Sequence, residues 1–218
     1  MIRCVIFDLD GTLLDTADDL TAAANAVCRH HGWPEIRREE LLTMVGNGNR
    51  VLLQRLSPPE AREGEALEES ARVFSEYYRL HCADRTAPYP GMTELLADLR
   101  SAGIKTAVLS NKWQEFTEKL IRGFFPGLTD VILGKQDGIP AKPDPTAVRM
   151  ALRDMGCAPE EGVFVGDSSV DVQTAKNAGM VCCAVSWGFR SRESLEEAGA
   201  DCIADTPEEL RRFLLKDC

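Results

Sequence analysis

The chain of 218 residues predicts an α/β fold, a doubly wound parallel sheet carrying an all-helical insertion, on three observations. Short apolar runs without polar alternation recur at Val5-Ile6-Phe7, Thr106-Ala107-Val108-Leu109, Val163-Phe164-Val165 and 181–185, as expected of strands buried on both faces of a parallel sheet. From residue 92 onward such runs alternate with helical spacing, the signature of strand, crossover helix, strand. Between the first run and the others, residues 15–86 show helical patterns alone. The expected organisation is therefore a core of residues 1–14 and 87–218 and a helical cap of residues 15–86.

Each element has a local reason. Asp15 or Thr16 can cap a helix over 16–30 with Leu20, Ala24, Val27 and His31 on one face, stopped by Gly32-Trp33-Pro34. A helix over 38–44 runs into the turn Val45-Gly46-Asn47-Gly48-Asn49, and another follows over 50–56. After Pro58-Pro59 a long helix, 60–82, carries the stripe Leu67, Ala71, Phe74, Tyr78. Pro88-Tyr89-Pro90-Gly91 returns the chain to a different layer. Helices are then expected over 92–102, 114–125, 145–155, 169–178, 191–198 and 207–216, and strands over 104–109, 131–133, 163–165, 181–185 and 202–203. The first strand cannot stand alone, so it must join this later sheet.

A formal net charge of −10, from 25 basic and 35 acidic residues, argues against nucleic acid or an anionic membrane as partner, since both require a basic patch. An anionic small molecule remains compatible if positive charge is gathered locally. No apolar run approaches the ~20 residues of a membrane span, and the first strand follows Met1 without a leader pattern; a cytoplasmic location is expected. Monomer and homodimer both stay open. The eight cysteines, Cys4, Cys28, Cys82, Cys157, Cys182, Cys183, Cys202 and Cys218, sit in apolar contexts without a Cys-x-x-Cys pair, so they read as small hydrophobes. Cys28 with His30 and His31 falls short of a zinc site, and the histidines read as solvated helix-end residues.

Charge recurs where the apolar runs end. Asp8 and Asp10 follow the first run, with Gly11 turning the chain; in open α/β sheets the carboxyl ends of the strands are where ligands bind. An unpaired buried carboxylate costs several kcal/mol, so a metal ion, a cation or a phosphoryl substrate is expected nearby, although Asp-x-Asp-Gly alone is equally at home as a turn. Ser110-Asn111-Lys112 follows the second run and can meet a phosphate, or Ser110 can simply cap a helix. Lys142, rigidified by Pro143, can offset phosphate charge. Gly166-Asp167 follows the third run, and Asp171 lies four residues on, able to turn back. Carboxylates at adjacent strand ends make an oxygen-rich site that suits Mg²⁺.

These four stretches, Asp8-x-Asp10, Ser110, Lys142 and Gly166-Asp167-x-x-x-Asp171, resemble in order the four motifs of the haloacid dehalogenase superfamily, and the helical insert is similar to its C1 cap. Val45-Gly46-Asn47-Gly48, Tyr89-Pro90-Gly91-Met92 and Ala175-Lys176-Asn177-Ala178-Gly179 look like the phosphoglycolate phosphatase subgroup. The resemblance implies Asp8 as nucleophile, Asp10 as general acid/base, and Lys142 steadying nucleophile and phosphate. It further implies Ser110, Asn111, Lys112, Gly11 and Thr12 beside the phosphate, and Mg²⁺ on Asp8, Asp10, Asp167 and Asp171. The implied substrate is a small phosphorylated metabolite, 2-phosphoglycolate first, with Asn47 and Arg50 of the cap as contacts. A phosphomutase would share the core residues; a receiver-like signalling module would not need Asp10 or the insert.

Overall fold

The structure is a computed structural model and describes residues 1–216; Cys218 lies outside the described residues. Its main sheet has six parallel strands. These are β1 (Cys4–Phe7), β4 (Lys105–Trp113), β5 (Val131–Lys135), β6 (Gly162–Gly166), β7 (Val181–Val185) and β8 (Cys202–Ala204), in the spatial order β5-β4-β1-β6-β7-β8. The chain winds from β1 outward through β4 to β5, then crosses back to β6 and winds the other way. The strand order thus reverses beside β1, and a crevice opens outside the strand ends at such a reversal.

β1 is the central strand because it is apolar on both faces. Cys4, Val5, Ile6 and Phe7 are all fully buried. In register, Phe7 stands between Val108 and Val165, so whatever follows each of these residues is delivered to the same edge. Cys4 and Ile6 pack with Ala107, Leu109 and Phe164 beneath Val148, Ala151 and Leu152 of α7 (Thr146–Met155) and Val172 and Ala175 of α8 (Ser169–Ala178). Period-2 alternation sends Val5 and Phe7 to the opposite face. The remaining core helices are α5 (Met92–Ser101), α6 (Gln114–Phe124), α9 (Arg192–Ala198) and α10 (Pro207–Leu214).

The described residues divide into two compact units, 1–15 with 88–216, and 16–87. The second holds α1 (Ala17–His31), α2 (Arg38–Met44), α3 (Asn49–Leu56) and α4 (Gly64–His81). Leu20, Ala24, Val27, Leu41, Leu53, Leu67, Phe74 and Tyr78 are buried in it. Its one deeply buried carboxylate, Asp19, accepts from the Arg85 and Thr86 N–H groups and from the Thr86 hydroxyl at 2.7–3.1 Å, which ties the end of the unit to its first helix.

Several expected details differ. The strand expected to stop at Leu109 continues to Trp113, with a register irregularity against β5, because the polar residues after Leu109 are themselves buried and bonded. The long helix starts at Gly64 rather than 60, since Pro59–Ala61 makes a separate 3-10 turn. Two-residue strands, β2 (Leu14–Asp15) and β3 (Ala87–Pro88), were not expected; they pair with each other. His31 is not merely solvated, for it stacks on Trp33 at 4.4 Å and meets Ser70 at 3.0 Å, while His30 faces Glu69.

Candidate active site

Four carboxylates and two ammonium groups gather at the carboxyl ends of β1, β4 and β6. Asp8 leaves β1 directly, its N–H bonded to Val165 O at 2.8 Å, which locks its backbone into the sheet. Oδ1 of Asp8 lies 2.8 Å from Nζ of Lys142, an ion pair in distance but without the direction of a hydrogen bond. The same ammonium donates to Asp171 Oδ1 at 2.7 Å, and it sits 5.7 Å above the Phe164 ring. Burial alone would push Lys142 toward neutrality, but Asp171 and Asp8 outweigh it and hold the ammonium above its ordinary range.

Lys142 lies in the loop between β5 and α7, and that loop is pinned from two sides. Asn111 clamps the Lys142 backbone, its Oδ1 accepting from Lys142 N–H at 2.8 Å and its Nδ2 donating to Lys142 O at 3.2 Å. Asn177 of α8 donates to Pro143 O at 2.9 Å, and the Lys142–Pro143 peptide is cis. The Asn111 side chain, expected at the phosphate, is thus spent on positioning Lys142. Ser110 Oγ accepts from Lys112 N–H at 3.2 Å, which leaves the hydroxyl hydrogen for another acceptor.

Asp167 and Asp171 follow β6. Ser168 donates to Asp171 Oδ2 through both its N–H (3.1 Å) and its hydroxyl (2.6 Å), so Asp171 closes the first turn of α8 with one oxygen and holds Lys142 with the other. Asp167 accepts from Thr12 Oγ1 at 3.2 Å and from Phe189 N–H at 2.7 Å. Gly11 and Thr12, also expected at the phosphate, form a turn against Asp167. Their N–H groups are committed to Leu14 O and Leu9 O within the turn, the Thr12 hydroxyl goes to Asp167, and a Cβ at Gly11, at φ +84°, would run into the Asp167 carboxylate.

The segment after β7 was missed in the sequence. A Cβ at Gly188 would fall on Asp167 Cβ and Gly11 O, Trp187 Nε1 donates to Thr12 O at 3.2 Å, and Phe189 N–H holds Asp167. Its one available signal was position, immediately beyond the end of a parallel strand.

Carboxylate oxygens of Asp8, Asp167 and Asp171 lie within 4.8 Å of one another. Burial, and then the neighbouring charges of Asp171 and Asp167, raise the Asp8 carboxyl well above its ordinary value despite Lys142. Burial and Asp171 raise Asp167 to about 7. Lys112 Nζ meets Asp10 Oδ1 at 3.1 Å. The four carboxylates outnumber the two ammonium groups, which is why the buried acids resist ionisation, and all the oxygens are hard donors. The donor set therefore fits one small divalent cation.

In the helical unit, Arg55 staples the glycine-rich turn, donating to Met44 O at 2.7 Å and to Asn47 Oδ1 at 3.0 Å. Gly46 and Gly48 take positive φ there. Arg50 pairs with Glu68 at 2.7 Å, both well exposed.

Among the described residues no helix is long and apolar enough to cross a membrane. The chain matches the model of the haloacid dehalogenase-like hydrolases over residues 5–185. An N-acetylmuramic acid 6-phosphate phosphatase of Pseudomonas aeruginosa is 32% identical, covering 100% of this chain and 98% of its own. A phosphoglycolate phosphatase of Caulobacter vibrioides is 35% identical over 91% of this chain and 85% of its own. A crystal structure from Lactobacillus delbrueckii subsp. bulgaricus, provisionally described as a phosphoglycolate phosphatase, superposes with a TM-score of 0.92 at 36% identity, covering 97% of this chain and 98% of that one. With the carboxylate cluster and both lysines in place on a matching fold, this chain belongs to the haloacid dehalogenase-like hydrolases, in the phosphoglycolate phosphatase-like subgroup, and is a phosphoric monoester hydrolase.

Proposed function

We propose that the enzyme is a Mg²⁺-dependent phosphatase that works through an aspartyl phosphate on Asp8, with 2-phosphoglycolate as its substrate. The observation that carries this reading is Asp8 itself, a buried carboxylate at the end of the central strand, 2.8 Å from a buried ammonium and clustered with Asp167 and Asp171. A carboxylate oxygen of Asp8 attacks phosphorus, the bond to the ester oxygen breaks, and Asp10 gives that oxygen a proton. Asp10 then takes a proton from the water that attacks the aspartyl phosphate, and inorganic phosphate leaves with Asp8 restored. Ser110 donates its hydroxyl to a phosphoryl oxygen, and Lys142 offsets the repulsion between Asp8 and the incoming anion. Asp8, Asp167 and the Asp10 carbonyl would hold Mg²⁺, with Asp171 beside them. Bound there, the ion supplies charge stabilisation to the transferring phosphoryl group.

The unit of residues 16–87 is assigned to substrate selection, with Asn47 and Arg50 as contacts, on the strength of its insertion directly after the first motif. One observation favours a second substrate: the full-length relative named for N-acetylmuramic acid 6-phosphate. That compound and 2-phosphoglycolate share a phosphate monoester and a carboxylate. Phosphate release from a panel containing both, sugar phosphates, nucleotides and pyrophosphate, with Mg²⁺ and with chelator, decides between them. The highest kcat/KM on 2-phosphoglycolate is expected. Preference for the muramic ester moves the substrate, and a bisphosphate product without free phosphate overturns the hydrolase in favour of a mutase.

A further inference from the structure

Lys112 is a buried lysine that the reaction as written does not use. Its side chain is 1% exposed, its Nζ lies 3.1 Å from Asp10 Oδ1, and the Asp10 side chain is 20% exposed. The backbone on which it stands is fixed, with Lys112 N–H donating to Ser110 Oγ and Lys112 O accepting from Thr117 Oγ1 at 3.2 Å. Burying an ammonium is unfavourable, and a lysine stem can ordinarily carry its head to water. Here the head is turned inward against the Asp10 carboxylate. The two lysines divide the acids of the first stretch between them, Lys142 meeting Asp8 and Lys112 meeting Asp10. Their tasks differ accordingly, because Asp8 forms a bond to phosphorus while Asp10 moves a proton.

We propose that Lys112 is a positioning residue for Asp10, fixing the carboxyl that protonates the departing oxygen and stabilising the carboxylate that the transfer leaves behind. The proposal rests on the reading of Asp10 as general acid/base. In the first half-reaction the electron pair of the P–O ester bond goes to the ester oxygen, which takes the Asp10 proton. The Lys112 ammonium faces the resulting carboxylate, which later accepts a proton from the attacking water. The contribution of Lys112 then scales with how badly the leaving group needs a proton. A ligand of the phosphate would instead contribute equally to every ester.

The test measures kcat/KM, which reports the first half-reaction, for the Mg²⁺-saturated enzyme on p-nitrophenyl phosphate, whose phenolate leaves unprotonated, and on 2-phosphoglycolate, whose alkoxide does not. Lys112→Met is expected to lose about 100-fold on the alkyl ester and less than about 5-fold on the aryl ester. Lys112→Arg, which keeps the charge and guards against a folding defect, should recover much of the alkyl activity. Asp10→Asn should show the same asymmetry, and adding Lys112→Met to it should cost little more. Equal losses on both esters, or additive losses in the double variant, overturn the role of Lys112 while leaving Asp10 standing. If Asp10→Asn shows no asymmetry, the general-acid reading falls and this proposal falls with it.

Discussion

Each unit of the chain buries carboxylates, and the two do so in opposite ways. In the helical unit Asp19 accepts from three donors of Arg85 and Thr86, with both carboxylate oxygens bonded, and the result is a structural tie. In the sheet unit Asp8 has an ammonium at ion-pair distance but no aligned hydrogen bond, and Asp167 and Asp171 crowd it. Burial of an acid does not by itself mark chemistry. An acid whose donors are complete belongs to the fold, and one whose charge is left partly uncompensated is poised for a ligand.

Breaking each side of the comparison should give opposite phenotypes. Asp8→Asn is expected to lower turnover by at least about 10³-fold while leaving thermal stability of the metal-free enzyme equal or higher, because it removes a repulsive buried charge. Asp19→Ala should do the reverse, costing about 3 kcal/mol of stability through stranded donors, with kcat per folded molecule unchanged. Denaturant melts alongside phosphate release measure both. A stable, fully active Asp19→Ala would show its hydrogen bonds to be dispensable.

Gly188→Ala probes the sheet side without replacing a titratable group. Its Cβ would press on Asp167 Cβ and on the Gly11 carbonyl, displacing an acid assigned to the cation. A 10- to 100-fold rise in the Mg²⁺ concentration needed for activity is expected, roughly the range for residues that orient metal ligands. An unchanged requirement would mean that this segment yields.

How the two units were foreshadowed in the sequence follows from the range of the interactions. β1 and its acids were legible because an unbroken apolar run followed by charge is a local pattern, and two other strands repeat its logic. Asp19 passed as an ordinary helix residue, since its donors lie more than sixty positions on at Arg85 and Thr86. The Asn111 clamp on Lys142 was equally invisible, because it forms only once β4 and the loop after β5 are folded together. Gly188 carried no charge to draw attention, and β2 and β3 are too short to show any period.

The pH dependence of stability follows from the raised carboxyls. Asp167 titrates near 4 when unfolded and at about 7 in the metal-free fold, so its protonated form stabilises the fold fully below about pH 4, and that contribution is lost as pH rises through about 7. Metal-free enzyme should therefore melt lower at about pH 7.5 than its Asp167→Asn variant, with the gap closing toward about pH 5. Mg²⁺ should raise the melting temperature more at the higher pH. A gap that widens on acidification would reverse the sign and refute the uncompensated charge.

The smallest structural effect is expected at the exposed Arg50–Glu68 pair. Arg50→Ala should cost less than about 0.5 kcal/mol of stability, yet reduce kcat/KM for 2-phosphoglycolate by about 1.5–3 kcal/mol more than for a phosphate ester without a carboxylate. Equal losses on the two esters would remove Arg50 from substrate selection.

The central claim is that the poised acid, Asp8, takes the phosphoryl group. Acid-quenching the Mg²⁺ enzyme during turnover of 2-phosphoglycolate and mapping the phosphorylated peptide by mass spectrometry tests it most directly. The account predicts one phosphoryl group on Asp8, base-labile as an acyl phosphate is, and none in Asp8→Asn. Phosphate carried on any other residue, or steady turnover by Asp8→Asn, would contradict it.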